Sequence, residues 1–110
     1  MQLPQFMIVE EPRQQALGTF ILSNAKPKLL ARAYYLPIGE KGAATQAQLE
    51  AHFNIGFGGV FGDKRIFVGA VDIYTKLKGN DENEKLFLKT MKQMAEWYAD
   101  FLTWEEEVSA

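Results

Sequence analysis

Apolar and polar residues alternate with two different periods along this chain, and the change of period divides it. Up to Tyr74 the apolar residues come in short runs broken by proline, glycine and asparagine, the pattern of strands separated by turns. From Asp81 to Glu107 they recur every three or four residues with no glycine or proline between them, which predicts one long amphipathic helix. The strand-like runs are Phe6 to Val9 (bounded by Pro4 and Pro12), Leu17 to Ser23, Leu29 to Leu36 (closed by Pro37), Phe57 to Phe61, and Ile66 to Tyr74. Asn24-Ala25-Lys26-Pro27 supplies turn chemistry between the second and third runs. Gly62-Asp63-Lys64 predicts a hairpin between the last two.

Alternation in the third run puts Leu29, Ala31, Ala33 and Tyr35 on one face, with Leu30, Arg32, Tyr34 and Leu36 on the other. In the last run, Phe67, Gly69, Val71 and Ile73 are expected to face the long helix, with Val68, Ala70, Asp72 and Tyr74 opposite. A short helix is predicted after Pro37. Gly39-Glu40-Lys41-Gly42 reads as a loop, Thr45 as the N-cap with Gln48 completing a capping box, Leu49 and Phe53 as the buried side, and Asn54 with Gly56 as the close.

The long helix has its own start signal in Asp81 and Glu84, and a solvated back in Lys85, Lys89, Lys92, Glu96 and Asp100. Glu105, Glu106 and Glu107 carry the wrong sign for a helix C-terminus, so fraying is expected there. The order β-β-β-α-β-β-α predicts a single α+β domain over residues 1–110. It is a twisted antiparallel sheet of about five strands, with the long helix across one face and the short helix at its edge.

Met94 marks the centre of the long helix's apolar side, which includes Phe87, Leu88, Met91, Ala95, Tyr98, Phe101 and Leu102. Leu86, Trp97 and Trp104 form a second row beside it, off the core axis. Together they sweep about 200°, where a surface helix ordinarily buries roughly 100° or a little more. A helix of this kind is expected to pack on its own sheet and to meet something else. The row is therefore assigned to protein interaction, and tryptophan is enriched among the residues that dominate binding energy. Val68 and Ala70 join it, because the apolar run Ile66 to Ala70 implies more surface than a small core can take, which predicts a homodimer.

Composition narrows the remaining classes. At 47% hydrophobic, with eight Phe, four Tyr and two Trp, the chain can build a core and need not be disordered. A net charge of −2 and a pI near 5.4 argue against nucleic acid as a partner. The absence of cysteine excludes disulfides, thiolate metal sites and cysteine nucleophiles, and is compatible with a reducing compartment. No run has the form of a signal peptide or approaches the roughly 18 apolar residues of a membrane span, so a cytoplasmic protein without a membrane partner is expected.

The candidate chemistry is thin. In Gly56-Phe57-Gly58-Gly59-Val60-Phe61-Gly62, Phe61 stands where the dinucleotide pattern needs its third glycine, and a strand follows where a helix is required. Glycines in a strand more often mark a bulge or a close approach. His52 is the only histidine and has no nucleophile near it in sequence, and the carboxylates show no spacing for an acid/base pair. No catalytic, cofactor-binding or metal-binding residue is assigned, and no cofactor is expected. Asp72 interrupts an apolar strand; were its face buried, it would need a partner such as Arg32. The rival class is a small-ligand-binding or enzymatic dimeric α+β domain with a pocket near Arg32, Tyr34, Tyr35 and His52.

Several segments together resemble the superfamily of type III secretion chaperones and YbjN-like proteins. They are the strand Leu29-Leu30-Ala31-Arg32-Ala33-Tyr34-Tyr35-Leu36-Pro37, the short helix ending in Phe53-Asn54, and the strands Gly58-Gly59-Val60-Phe61-Gly62-Asp63 and Arg65-Ile66-Phe67-Val68. The closing helix with Met94-Ala95-Glu96-Trp97-Tyr98 completes them. The likeness is one of element order and hydrophobic pattern, from about Leu17 to Glu107. It implies a small cytoplasmic protein, commonly dimeric, that binds a protein client and catalyses nothing. The secretion chaperones open with an amphipathic helix, a pattern that does not precede Phe6 here.

Overall fold

The computed structural model contains β1 (Phe6–Val9), β2 (Thr19–Ser23), β3 (Leu29–Leu36), α1 (Glu40–His52), β4 (Gly56–Phe61), β5 (Lys64–Ile73) and α2 (Asp81–Ser109). The structure describes residues 5–9, 19–24, 27–73 and 81–109. The expected start of the second strand at Leu17, the turn residues Ala25 and Lys26, the end of the last strand at Tyr74 and the capping side chains of Asp81 and Glu84 lie outside what is described.

The fold is α+β. One antiparallel sheet has the order β1-β2-β3-β5-β4, with α2 packed across it. β1, β2 and β3 form a meander. α1 then carries the chain to the far edge, where β4 runs, and β5 returns to fill the gap beside β3. β5 is therefore a central strand, and this explains its composition. One of its faces meets α2 and the other meets α1, so it is apolar on both, as doubly covered strands are.

That double cover also reverses the expected facing of β5. Ile66 and Val68, not Phe67 and Gly69, point into the core beneath α2. They join Ile21, Leu29, Ala31 and Ala33 of the sheet and Phe87, Met91, Met94, Ala95, Tyr98 and Ala99 of α2. With both phases of the strand apolar, alternation alone does not say which faces which helix. The register settles it. Ala33 pairs with Val68, so Val68 shares the face on which β3 carries Leu29, Ala31 and Ala33 into the core. Alanine at positions 31 and 33 leaves room for the two methionines of α2, which fill irregular space well. A bulge at Val71 then shifts the phase, so Asp72 aligns with Leu30 and Ile73 with Leu29. Val71 and Ile73, also expected beneath the long helix, are exposed instead.

On the other face, Phe67 meets Tyr34 and Phe53 with ring centroids 6.4 Å and 5.8 Å apart, and Tyr34 lies 6.1 Å from Phe53. This aromatic cluster seats the C-terminal end of α1. The helix itself starts earlier than its sequence suggests, at Glu40 rather than Thr45. Gly39, at φ 99°, is its N-cap and reaches a backbone region closed to other residues. Among the described residues no side chain caps the helix there, and the Thr45 hydroxyl instead donates back to the Lys41 carbonyl at 2.9 Å. The helix closes on Phe53, whose N–H bonds to the Leu49 carbonyl at 3.2 Å, rather than on Asn54 and Gly56.

The glycine-bearing strands serve this packing. Gly69 sits directly beneath the Phe53 ring, which an added Cβ would strike, and it pairs across the hairpin with Gly56. An aromatic ring over paired strand glycines makes up for side chains they lack. Gly58 lies instead beneath the Gln46 amide of α1. The two sites yield a contrast. Gly69→Ala must lift a packed ring and should cost about 1–3 kcal/mol, whereas Gly58→Ala meets the movable end of a long side chain and should cost less than about 1 kcal/mol. Urea unfolding of the two variants checks the order, and equal costs would contradict it.

Candidate functional site

α2 carries the residues assigned to protein interaction, and the structure divides them. Trp97 is half-buried. Its ring lies 5.9 Å from Phe6 of β1 and stacks at 6.0 Å and 17° on Phe101, so it closes the rim of the core. Trp104 is 57% exposed and touches the same ladder through Phe101, at 6.0 Å. Leu86 is 38% exposed. The two tryptophans are thus not equivalent: one belongs to the domain and the other stands out from it. Val68 is fully buried beneath α2, and Ala70 is partly buried against the same core. The surplus expected of the run Ile66 to Ala70 is absorbed within the chain, because α1, α2 and β4 cover β5 from three sides.

The fraying expected at the end of α2 is absent, and the helix runs on through Glu105, Glu106 and Glu107 to Ser109. Lys64 accounts for this by meeting the helix end from the β4–β5 turn. Its side chain keeps only 2% of its surface, and its ammonium bonds to Glu106 at 3.1 Å and to Asp63 at 3.2 Å. The Tyr35 ring lies 5.7 Å away. The hydrogen bond to Glu106 raises the Lys64 pKa above its ordinary value, and Asp63 adds to the effect while burial opposes it. At the other side of the core, Tyr98 shares a 3.1 Å hydrogen bond with Thr19 of β2. Burial raises its pKa, against a smaller opposing effect of that bond.

A second surface opens on the side of the sheet that α1 covers. It is a cleft of about 720 Å³ lined by Phe20, Arg32, His52, Phe53, Asn54, Ile55, Ala70, Val71, Asp72 and Ile73. The register explains the grouping: Phe20 pairs with Arg32, and Arg32 with Gly69, so the three positions line up across three strands. The Arg32 guanidinium lies 4.3 Å from the centre of the Phe20 ring. The end of α1 brings His52 and Phe53, and the bulge presents Val71, which is 49% exposed. Of the residues expected to line a pocket, Arg32 and His52 do so. Tyr34 packs beneath Phe53, and Tyr35 faces α2's side of the sheet. Asp72 is exposed, so its strand position reports a wet face.

Sequence reasoning did not find Phe20, Val71 or Ile73 as cleft residues, since the bulge at Val71 leaves no mark in the pattern. Lys64 was legible in principle. A lysine beside Asp63 at a turn has the sign to meet the three glutamates that close α2. Among the described residues no group of three His, Asp or Glu side chains is placed to hold a metal ion, and no helix is long and apolar enough to cross a membrane. No protein family, curated protein or solved structure matches this chain.

The division of the row sets one expectation. Trp97→Ala should cost about 2–3 kcal/mol, somewhat below a full core truncation, and Trp104→Ala should stay within about 0.5 kcal/mol of wild type at protein concentrations too low for self-association. Chemical denaturation of both variants measures the difference. A second expectation concerns alkaline pH. Lys64 and Tyr98 both hold their protons more tightly in the folded chain than at their ordinary values of 10.5 and 10.0. Their contribution to stability is therefore complete below those values and is lost as pH rises through the higher folded ones. Unfolding free energy measured against pH should fall above about pH 10, and fall less steeply in the Lys64→Met/Tyr98→Phe variant.

Proposed function

We propose that this chain is a non-enzymatic, cytoplasmic chaperone or adaptor that binds a protein client through aromatic and apolar surface and acts as a homodimer. One observation carries the reading: among the described residues, two of the places that keep apolar side chains at the surface have a form suited to another protein, a helix row and a groove. Trp104 and Leu86 stand out from α2, and Phe20, Phe53, Val71 and Ile73 line an open cleft on the side of α1. A protein that both self-associates and holds a client needs two such surfaces. The cleft is a groove with a charged rim, the form that takes a side chain or extended segment of another protein. The resemblance in element order and hydrophobic pattern to the secretion-chaperone and YbjN-like superfamily supports the same reading.

A second reading, a small-ligand-binding or enzymatic domain, is favoured by one feature of the same cleft. Arg32, His52 and Asp72 all line it, the groups a small anionic or zwitterionic ligand would meet.

Affinity purification from the source cell with the wild type and a Val71→Asp/Ile73→Asp variant tests the client reading. Both side chains are exposed, so the variant should keep its fold and thermal midpoint while losing the client. A client retained at the wild-type level would overturn the assignment to the cleft. A thermal-shift survey of small carboxylates and amino acids separates the second reading. A rise in Tm that disappears in His52→Ala would support it.

A further inference from the structure

We infer that the exposed row of α2 is the seam of a two-fold homodimer in which the α2 helices of two copies lie antiparallel, Leu86 against Trp104 of the partner subunit. The inference names the surface for the homodimer part of the reading above and rests on that part. It starts from the arrangement of the row. At 100° per residue, Leu86, Gln93, Trp97 and Trp104 fall within about 40° of arc. Leu86, Gln93 and Trp104 are exposed, Gln93 while accepting a 3.4 Å hydrogen bond from the Gln5 amide, and Trp97 supports them from the core rim.

The row is symmetric about Ala95. Leu86 precedes Ala95 by nine residues and Trp104 follows it by nine, while Gln93 and Trp97 stand two residues to either side. A two-fold axis at the level of Ala95 therefore lays the row onto itself, run backwards. Each half of the seam then buries a leucine against a tryptophan, an aromatic anchor of the kind that dominates binding energy.

Charge on the solvent flank of the row is opposite in sign across the same centre. Lys85 and Lys89 precede Ala95, and Asp100 and Glu107 follow it, all four exposed. Lys89 lies six residues before Ala95 and Asp100 five after. In the antiparallel pair, Lys89 thus faces Asp100 of the partner subunit to within about 1.5 Å of helix rise. Lys85 faces Glu107 of the partner subunit to within two residues, about 3 Å of rise. A parallel pair would put the two charged flanks on opposite sides of the seam, where neither completes the other. The hydrophobic match and the charge match share one centre, which a second copy of the chain satisfies and a foreign partner has no reason to.

Charge exchange between copies tests this. Light scattering at high micromolar protein and low salt should give a dimer mass for the wild type and a monomer mass for Trp104→Ser, with circular dichroism unchanged. Lys89→Glu and Asp100→Lys should each weaken association by about tenfold, because the two-fold axis repeats each reversed pair. Mixing these two single variants should restore the dimer. The introduced glutamate then meets the introduced lysine, and the native Asp100 still meets a native Lys89. The Lys89→Glu/Asp100→Lys chain should restore the dimer alone. A monomeric wild type would overturn both this inference and the homodimer reading. A dimer that ignores Trp104→Ser, or single variants that do not recover on mixing, would overturn the seam and leave that reading standing. Loss of the client through the cleft variant bears on neither, as that variant should keep its dimer mass.

Discussion

The structure depends on β5 being covered on both faces. As the last strand to enter the sheet, it separates β3 from β4 and gives each helix its floor: Ile66 and Val68 for α2, Phe67 and Gly69 for α1. Burial on two sides gives the strand more apolar contact than any other element of this size could have in a one-sided sheet. It also removes tolerance. Adding bulk at Gly69 displaces Phe53, and Phe53 in turn forms part of the cleft wall. The packing of the second face and the shape of the open surface are thus one problem.

Much of this was legible in the sequence. The strand runs, their order and the long helix follow from apolar periodicity, and the face of β3 is readable because Arg32 and Tyr34 contrast with Ala31 and Ala33. The same logic fails on β5, where both faces are apolar and the pattern has no phase to read. It fails again at α1, where Thr45 has good capping spacing but Gly39, with its positive φ, does the turning without any side-chain bond. Pattern identifies elements well and orients them only when their two faces differ.

The surfaces were less legible than the fold. The stripe on α2 was visible, but its split between Trp97 and Trp104 was not, because it depends on where Phe6 of a distant strand comes to rest. The cleft depends on a bulge, and a bulge is a property of register between two strands. Lys64 shows the converse, a long-range contact whose ends both carry suitable charge in the sequence, so that the pairing rationalises the continuation of α2 through its acidic end.

The unequal setting of the two tryptophans has an optical consequence. These are the chain's only indoles. Trp97, shielded by Phe6 and Phe101, emits from an apolar site, while Trp104 emits from water as long as α2 is unpaired. A soluble quencher would reach the second in the single chain and spare the first. The protein therefore carries two built-in reporters, one blue-shifted and sensitive to loss of the core, the other red-shifted and sensitive to whatever covers the helix surface.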